Sequence, residues 1–104
     1  MNKELLISSI RSIPDFPKEG ILFRDVTTLF KSPEAFREAV DATYELYKDK
    51  GITKVAGLES RGFVLGAALA YKLGAGFVTI RKPGKLTCDT YSEEYLKEYG
   101  TDTL

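Results

Sequence analysis

Two cationic clusters carry the chemistry this sequence can be read for. The first is Gly57-Leu58-Glu59-Ser60-Arg61-Gly62-Phe63, which follows the apolar run Lys54-Val55-Ala56 and opens a helical pattern that continues to Leu73. A strand that turns into a helix at a glycine gathers backbone N–H groups and the positive end of the helix at one point, where an anion is favoured. Arg61 adds a planar, permanently charged fork that suits phosphate oxygens. The second cluster is Arg81-Lys82-Pro83-Gly84-Lys85, three cations around a Pro-Gly turn. Alone, the first motif also serves merely to cap and turn a helix, and the second is an ordinary solvated loop. Side by side they favour a phosphate, pyrophosphate or polyphosphate ligand. The sequence has no histidine, so His-based triads and His-ligated metals are excluded. Acid–base work falls to carboxylates, Lys or Tyr.

The elements around these clusters follow from spacing. Leu6, Ile10 and Ile13 fall at i, i+4 and i+7, which predicts a short amphipathic helix capped by Asn2 and ended by Pro14. Residues 15–20 are turn chemistry. The run Ile21-Leu22-Phe23-Arg24-Asp25-Val26 is apolar but interrupted by a charged pair. Burying an unpaired charge is very costly, so the run reads either as an extended segment at the rim of a pocket or as a solvent-facing ion pair. Ser32-Pro33 starts a helix, with Ser as N-cap and Pro at its first position. Phe36, Val40, Tyr44 and Tyr47 trace one face of that helix toward Gly51.

Residues 53–58 then read as a core strand. The helix after Ser60 carries Phe63, Ala67, Ala70 and Tyr71, and Gly62, Gly66 and Ala70 give it a narrow side that can lie close on a sheet. Gly74 stops it, and residues 76–80 form a second strand. Residues 53–80 are therefore a βαβ unit, predicted to have parallel strands and a right-handed crossover. Ligands of such sheets gather at the carboxyl ends of the strands, which is where both clusters lie. Beyond Lys85 an acidic and aromatic segment, with Tyr91, Glu93, Glu94, Tyr95, Glu98 and Tyr99, reads as part flap and part β-arm.

At 104 residues, 43% of them hydrophobic, the chain suits one small globular domain. Its parts are an amino-terminal helix and extended segment (1–30), a partial α/β core (31–81) and a flap and arm (82–104). Fifteen basic and fifteen acidic side chains cancel, so nothing points to nucleic acid. No apolar run approaches the roughly 20 residues of a membrane span. The single cysteine, Cys88, can form no internal disulfide, and a reducing cytoplasm is the simple inference.

Five pieces carry a resemblance: Ser12-Ile13-Pro14-Asp15-Phe16-Pro17, Gly20-Ile21-Leu22-Phe23-Arg24-Asp25, the Gly57–Phe63 stretch, Ile80-Arg81-Lys82-Pro83-Gly84-Lys85-Leu86, and Glu98-Tyr99-Gly100. In this order and with these gaps they resemble the adenine phosphoribosyltransferases, which are type I phosphoribosyltransferases. The resemblance implies an α/β fold with a parallel sheet built on the βαβ unit, in a homodimeric, Mg²⁺-dependent enzyme of purine salvage. That enzyme joins adenine to phosphoribosyl pyrophosphate, giving AMP and pyrophosphate, with Mg²⁺ bound mainly through the donor.

Roles follow by the same resemblance. Backbone groups at Leu22 and Arg24 would read the base, and Phe23 would shape its pocket. Glu59, Ser60 and Arg61 would form the pyrophosphate loop, with a non-proline cis peptide expected between Glu59 and Ser60. Arg81 and Lys85 would bind pyrophosphate oxygens, Arg81 being a candidate to reach across the dimer. Glu98 and Tyr99 match flap residues that close over the reactants, Glu98 as the candidate for proton transfer at the purine ring; read by itself, Glu98 is a surface carboxylate. Glu at position 59, where some relatives have Asp, is a mild departure.

A larger departure concerns the carboxyl end. The family has a further strand ending in two acidic residues, followed by a Thr- and Gly-rich loop for the ribose 5′-phosphate, and no stretch of this sequence matches it. The expectation is an amino-terminal portion of the fold, incomplete at the carboxyl end, inactive alone and prone to associate through an unpaired sheet edge. The alternative is a non-catalytic purine- or phosphoribosyl-pyrophosphate-binding regulatory module.

Overall fold

In the computed structural model, which describes residues 1–85 and the strands Glu94–Lys97 and Gly100–Thr103, the first helix is shorter than its apolar spacing implies. It spans Lys3–Ser8 (α1), and Asn2 caps it by accepting from the Leu5 N–H at 3.0 Å. The expected continuation to Ile13 does not occur. The Ser8 and Ser9 hydroxyls both donate to the Leu5 carbonyl, at 3.1 and 2.7 Å, the local competition by which serine loosens a helix. Arg11–Pro14 instead forms strand β1, paired antiparallel with β2, Leu22–Asp25, in the register Arg11↔Asp25 to Pro14↔Leu22.

A short helix α2, Thr27–Lys31, follows, which spacing did not reveal. The Ser32-Pro33 start is borne out. Helix α3 runs Pro33–Tyr47, and the Ser32 hydroxyl accepts from the Ala35 N–H at 3.2 Å. Ala35 and Val40 are buried, and the Phe30 and Phe36 rings meet edge to face at 5.9 Å. These elements make up the first of two units, Met1–Leu46; the second is Tyr47–Leu104.

The second unit contains the expected βαβ. Strand β3, Lys54–Leu58, lies parallel to β4, Gly76–Ile80, from Lys54↔Gly76 to Leu58↔Ile80. Helix α4, Arg61–Leu73, connects them and ends at Gly74, whose φ of +71° is the left-handed stop favoured by glycine. The small-residue side does what its spacing implies. A Cβ on Gly57 would sit 2.4 Å from the Gly62 carbonyl oxygen, so helix and strand approach closely only because Gly57 has no side chain. Leu69 and Ala70 are buried, whereas Tyr71 is 90% exposed and faces away from any core. Strands β5, Glu94–Lys97, and β6, Gly100–Thr103, pair antiparallel, which gives the β-arm. Among the described residues no helix is long and apolar enough to cross a membrane.

Candidate functional site

The site is built where β3 and β4 end together. The Glu59 N–H donates to the Ile80 carbonyl at 2.8 Å, which extends the parallel ladder by one bond past Leu58. Beyond it, the Glu59–Ser60 peptide is cis, as the resemblance implied, and α4 begins at Arg61. Ser60 precedes the helix but its hydroxyl makes no capping bond. Arg61 and Ser60 are exposed at this helix start.

From the second strand end, Arg81 turns back onto Glu59. Its Nε donates to Glu59 Oε1 at 3.0 Å, and the Lys82 N–H donates to the same oxygen at 3.2 Å. Nη1 of Arg81 donates to the Lys85 carbonyl at 3.4 Å. The guanidinium carbon lies 5.8 Å from the centre of the Phe63 ring, which itself meets Phe77 edge to face at 6.0 Å. A cation on an aromatic face is attracted to the ring quadrupole. The Arg81 hydrogen bond, and after it the Lys82 N–H, hold the Glu59 carboxyl below its ordinary value, against a smaller opposing effect of burial. Glu59 is thus ionised and engaged at neutral pH. The structure brings Glu59, Arg81, Lys82 and Lys85 into contact, and chain continuity places Ser60 and Arg61 next to Glu59.

The base-side residues lie in the first unit. Along β2, exposure alternates: Leu22 and Arg24 are exposed, Phe23 is half-buried and Asp25 is buried, as a strand with one covered face requires. Phe23 meets Phe16 edge to face at 5.2 Å. Arg24 Nη1 donates to the Ser12 hydroxyl at 2.5 Å. Of the two readings of this run, the extended segment is observed as β2, whereas the solvent-facing ion pair is corrected, because Arg24 and Asp25 do not pair with each other. Asp25 is bound by Arg11, through Nε at 3.1 Å and Nη2 at 2.5 Å, and by the N–H and hydroxyl of Thr27 at 2.9 and 2.7 Å. The Thr27 N–H first, then its hydroxyl and Arg11, bring the Asp25 carboxyl down to about 2. Arg11 escaped sequence reading because a partner fourteen residues away leaves no short-range signal. Phe63 belongs to the Gly57–Phe63 stretch, but spacing alone does not imply its place beneath Arg81. Glu98, Tyr99 and Cys88 lie outside the described residues.

Known proteins are similar to this chain along its whole length. No protein-family model matches the sequence. The adenine phosphoribosyltransferase of Phocaeicola vulgatus is 64% identical over all 104 residues, and that of Bacteroides fragilis is 65% identical. The crystal structure of the enzyme from Thermoanaerobacter pseudethanolicus superposes with a TM-score of 0.87 at 47% identity, over 96% of this chain. The Giardia lamblia enzyme, solved with 9-deazaadenine, gives 0.90 at 42% identity over 94% of this chain. The fold is part of that of the type I phosphoribosyltransferases. Throughout its length the chain resembles the amino-terminal part of the adenine phosphoribosyltransferases. It spans 60% and 58% of the two curated relatives, and 58% and 55% of the two solved chains.

Proposed function

We propose that this phosphoribosyltransferase-fold chain is part of an enzyme that transfers the phosphoribosyl group of phosphoribosyl pyrophosphate to adenine, giving AMP and pyrophosphate. What carries the reading is the pair of parallel strand ends, with Arg81 fixed beside the start of α4. Displacing pyrophosphate from the ribose carbon leaves growing negative charge on the leaving group. Arg61, Arg81 and Lys85 supply cations for that charge, and the helix start adds its positive end. Leu22 and Arg24 would offer backbone groups to the base beside Phe23. Glu98 and Tyr99 would close over the reactants to keep water from the donor, with Glu98 placed for proton transfer at the purine ring.

Mg²⁺ enters this reading on the donor's own oxygens, where it would help neutralise the leaving group. The described residues here do not suit a resident metal. Glu59 already gives its oxygen to Arg81 and Lys82, and the described residues hold no cluster of three metal-ligating side chains. A homodimer working in the cytoplasm completes the proposal.

The test is AMP formation from labelled adenine and phosphoribosyl pyrophosphate by the product of the complete open reading frame, with Mg²⁺ supplied. Sustained turnover is expected with adenine, and Arg61→Ala should raise the KM for the donor roughly 10- to 100-fold, the worth of one charge-assisted contact, while adenine changes little. Absence of turnover, or equal loss for both substrates, would overturn the reading.

A further inference from the structure

An acidic side chain sits where a binding site for an anion would be expected to exclude one. Glu59 Oε1 receives two donors from consecutive residues, the Arg81 Nε–H and the Lys82 N–H. Its side chain is 15% exposed and that of Arg81 is 34% exposed. An ordinary surface ion pair is worth little and leaves both partners mobile. This one differs in that a backbone amide shares the same oxygen, so the carboxylate fixes the path of the loop as well as the angle of the guanidinium. The Phe63 ring supports one face of Arg81, and the Lys85 carbonyl takes one N–H of Nη1. Nη2 has no partner among the described residues. A guanidinium has five donors in a rigid fork, so holding it at Nε and Nη1 leaves the outer donors pointing in a defined direction.

We propose that Glu59 is a positioning residue for Arg81 and does not itself touch the ligand: its carboxylate holds the guanidinium in the geometry that pyrophosphate oxygens require, while the Lys82 N–H, spent on the same oxygen, anchors the carboxylate to the loop. The proposal rests on the phosphoribosyl-transfer reading of the site. Its physical basis is entropic. A rotamer-rich side chain that is immobilised only on binding costs affinity, and one already held does not. Bare electrostatics gives the opposite sign, since a carboxylate next to an anion site repels the anion and its removal should tighten binding.

The sign therefore decides. Calorimetric titration of inorganic pyrophosphate into the full-length protein should show Glu59→Ala weakening binding by about three- to tenfold, the range expected for one released side chain. The donor KM should rise in step and the adenine KM should stay unchanged. Glu59→Gln, which keeps the shape and one acceptor oxygen, should fall between wild type and Ala and guards against loss of the fold. In an Arg81→Ala background, Glu59→Ala should have little further effect on pyrophosphate, because a residue acting through Arg81 has nothing left to position. Unchanged or tighter pyrophosphate binding by Glu59→Ala, or additive losses in the double variant, would overturn the proposal. If the wild-type protein forms AMP and these variants behave in that way, the positioning role fails while the transferase reading stands. A wild-type protein that forms no AMP defeats the transferase reading itself.

Discussion

Arg11 and Asp25 face each other across the β1–β2 ladder, and both Nε and Nη2 of the arginine converge on one carboxylate oxygen. The other oxygen is taken by the N–H and hydroxyl of Thr27, at the start of α2. One buried carboxylate thereby ties the end of the hairpin to the helix that follows. Asp25→Ala leaves Arg11 and the Thr27 amide without this partner, whereas Arg11→Ala leaves the two Thr27 bonds in place. The melting temperature followed by circular dichroism should fall in both variants, and further in Asp25→Ala. A larger fall in Arg11→Ala would mean that the ion pair, and not the link to Thr27, holds the segment.

The same carboxylate sets an acid limit. Asp25 is brought from its ordinary 3.8 to about 2 in the folded chain, and Glu59 is also lowered. A group whose folded pKa lies below its unfolded one contributes its stability in full above the unfolded value and loses it as pH falls toward the folded value. For Asp25 that window runs from about 4 down to about 2. Melting temperature should therefore be insensitive to this group near neutral pH and should fall steeply through that window. Asp25→Asn should flatten the slope there. An unchanged acid slope in Asp25→Asn would assign the acid limit to other carboxylates.

Two glycines in the second unit should differ in tolerance. At Gly57 an added Cβ meets the Gly62 carbonyl oxygen at 2.4 Å and the Phe77 ring at 2.7 Å; at Gly66 it meets the Phe77 ring alone, at 2.6 Å. A ring can tilt, but the helix backbone can shift only by lifting α4 off the sheet. Gly66→Ala should cost on the order of 1–2 kcal/mol and Gly57→Ala about 3 kcal/mol or more, within and above the usual range for overpacking. Urea denaturation compares them directly, and equal costs would place the constraint in Phe77 and not in the helix–strand approach.

Legibility in the sequence followed the range of the interaction. The βαβ unit was readable because its signals are local: Gly76 to Ile80 matched the strand residue for residue, and the small side of α4 lies against β3 as its spacing implied. Helix α1 was overextended because apolar spacing does not register two serine hydroxyls turning onto Leu5. The partner of Asp25 and the perch of Arg81 on Phe63 depend on which side chains tertiary packing brings together, and no periodicity records that. Both cationic clusters were visible as residue types. What the sequence withheld was their direction, because Glu59 reads as one more polar loop residue until its oxygen is seen to carry two donors.

Two serines at helix starts separate a structural from a functional part. The Ser32 hydroxyl accepts from the Ala35 N–H and so satisfies a donor at the start of α3 that the helix leaves unpaired. Ser60 occupies the equivalent place before α4 but makes no capping bond with its side chain. Ser32→Ala should accordingly lower stability by about 1 kcal/mol in urea denaturation, the usual worth of an N-cap, and leave the substrate KM values as they are. Ser60→Ala should change stability by less than about 0.5 kcal/mol, as for an exposed side chain without a partner. If its hydroxyl serves the pyrophosphate group, the donor KM rises several-fold with adenine unaffected. The reverse pattern, stability lost at Ser60 and kinetics altered at Ser32, would show that α4 is capped in solution by its own serine and that the anion is held by Arg61, Arg81 and Lys85 without it.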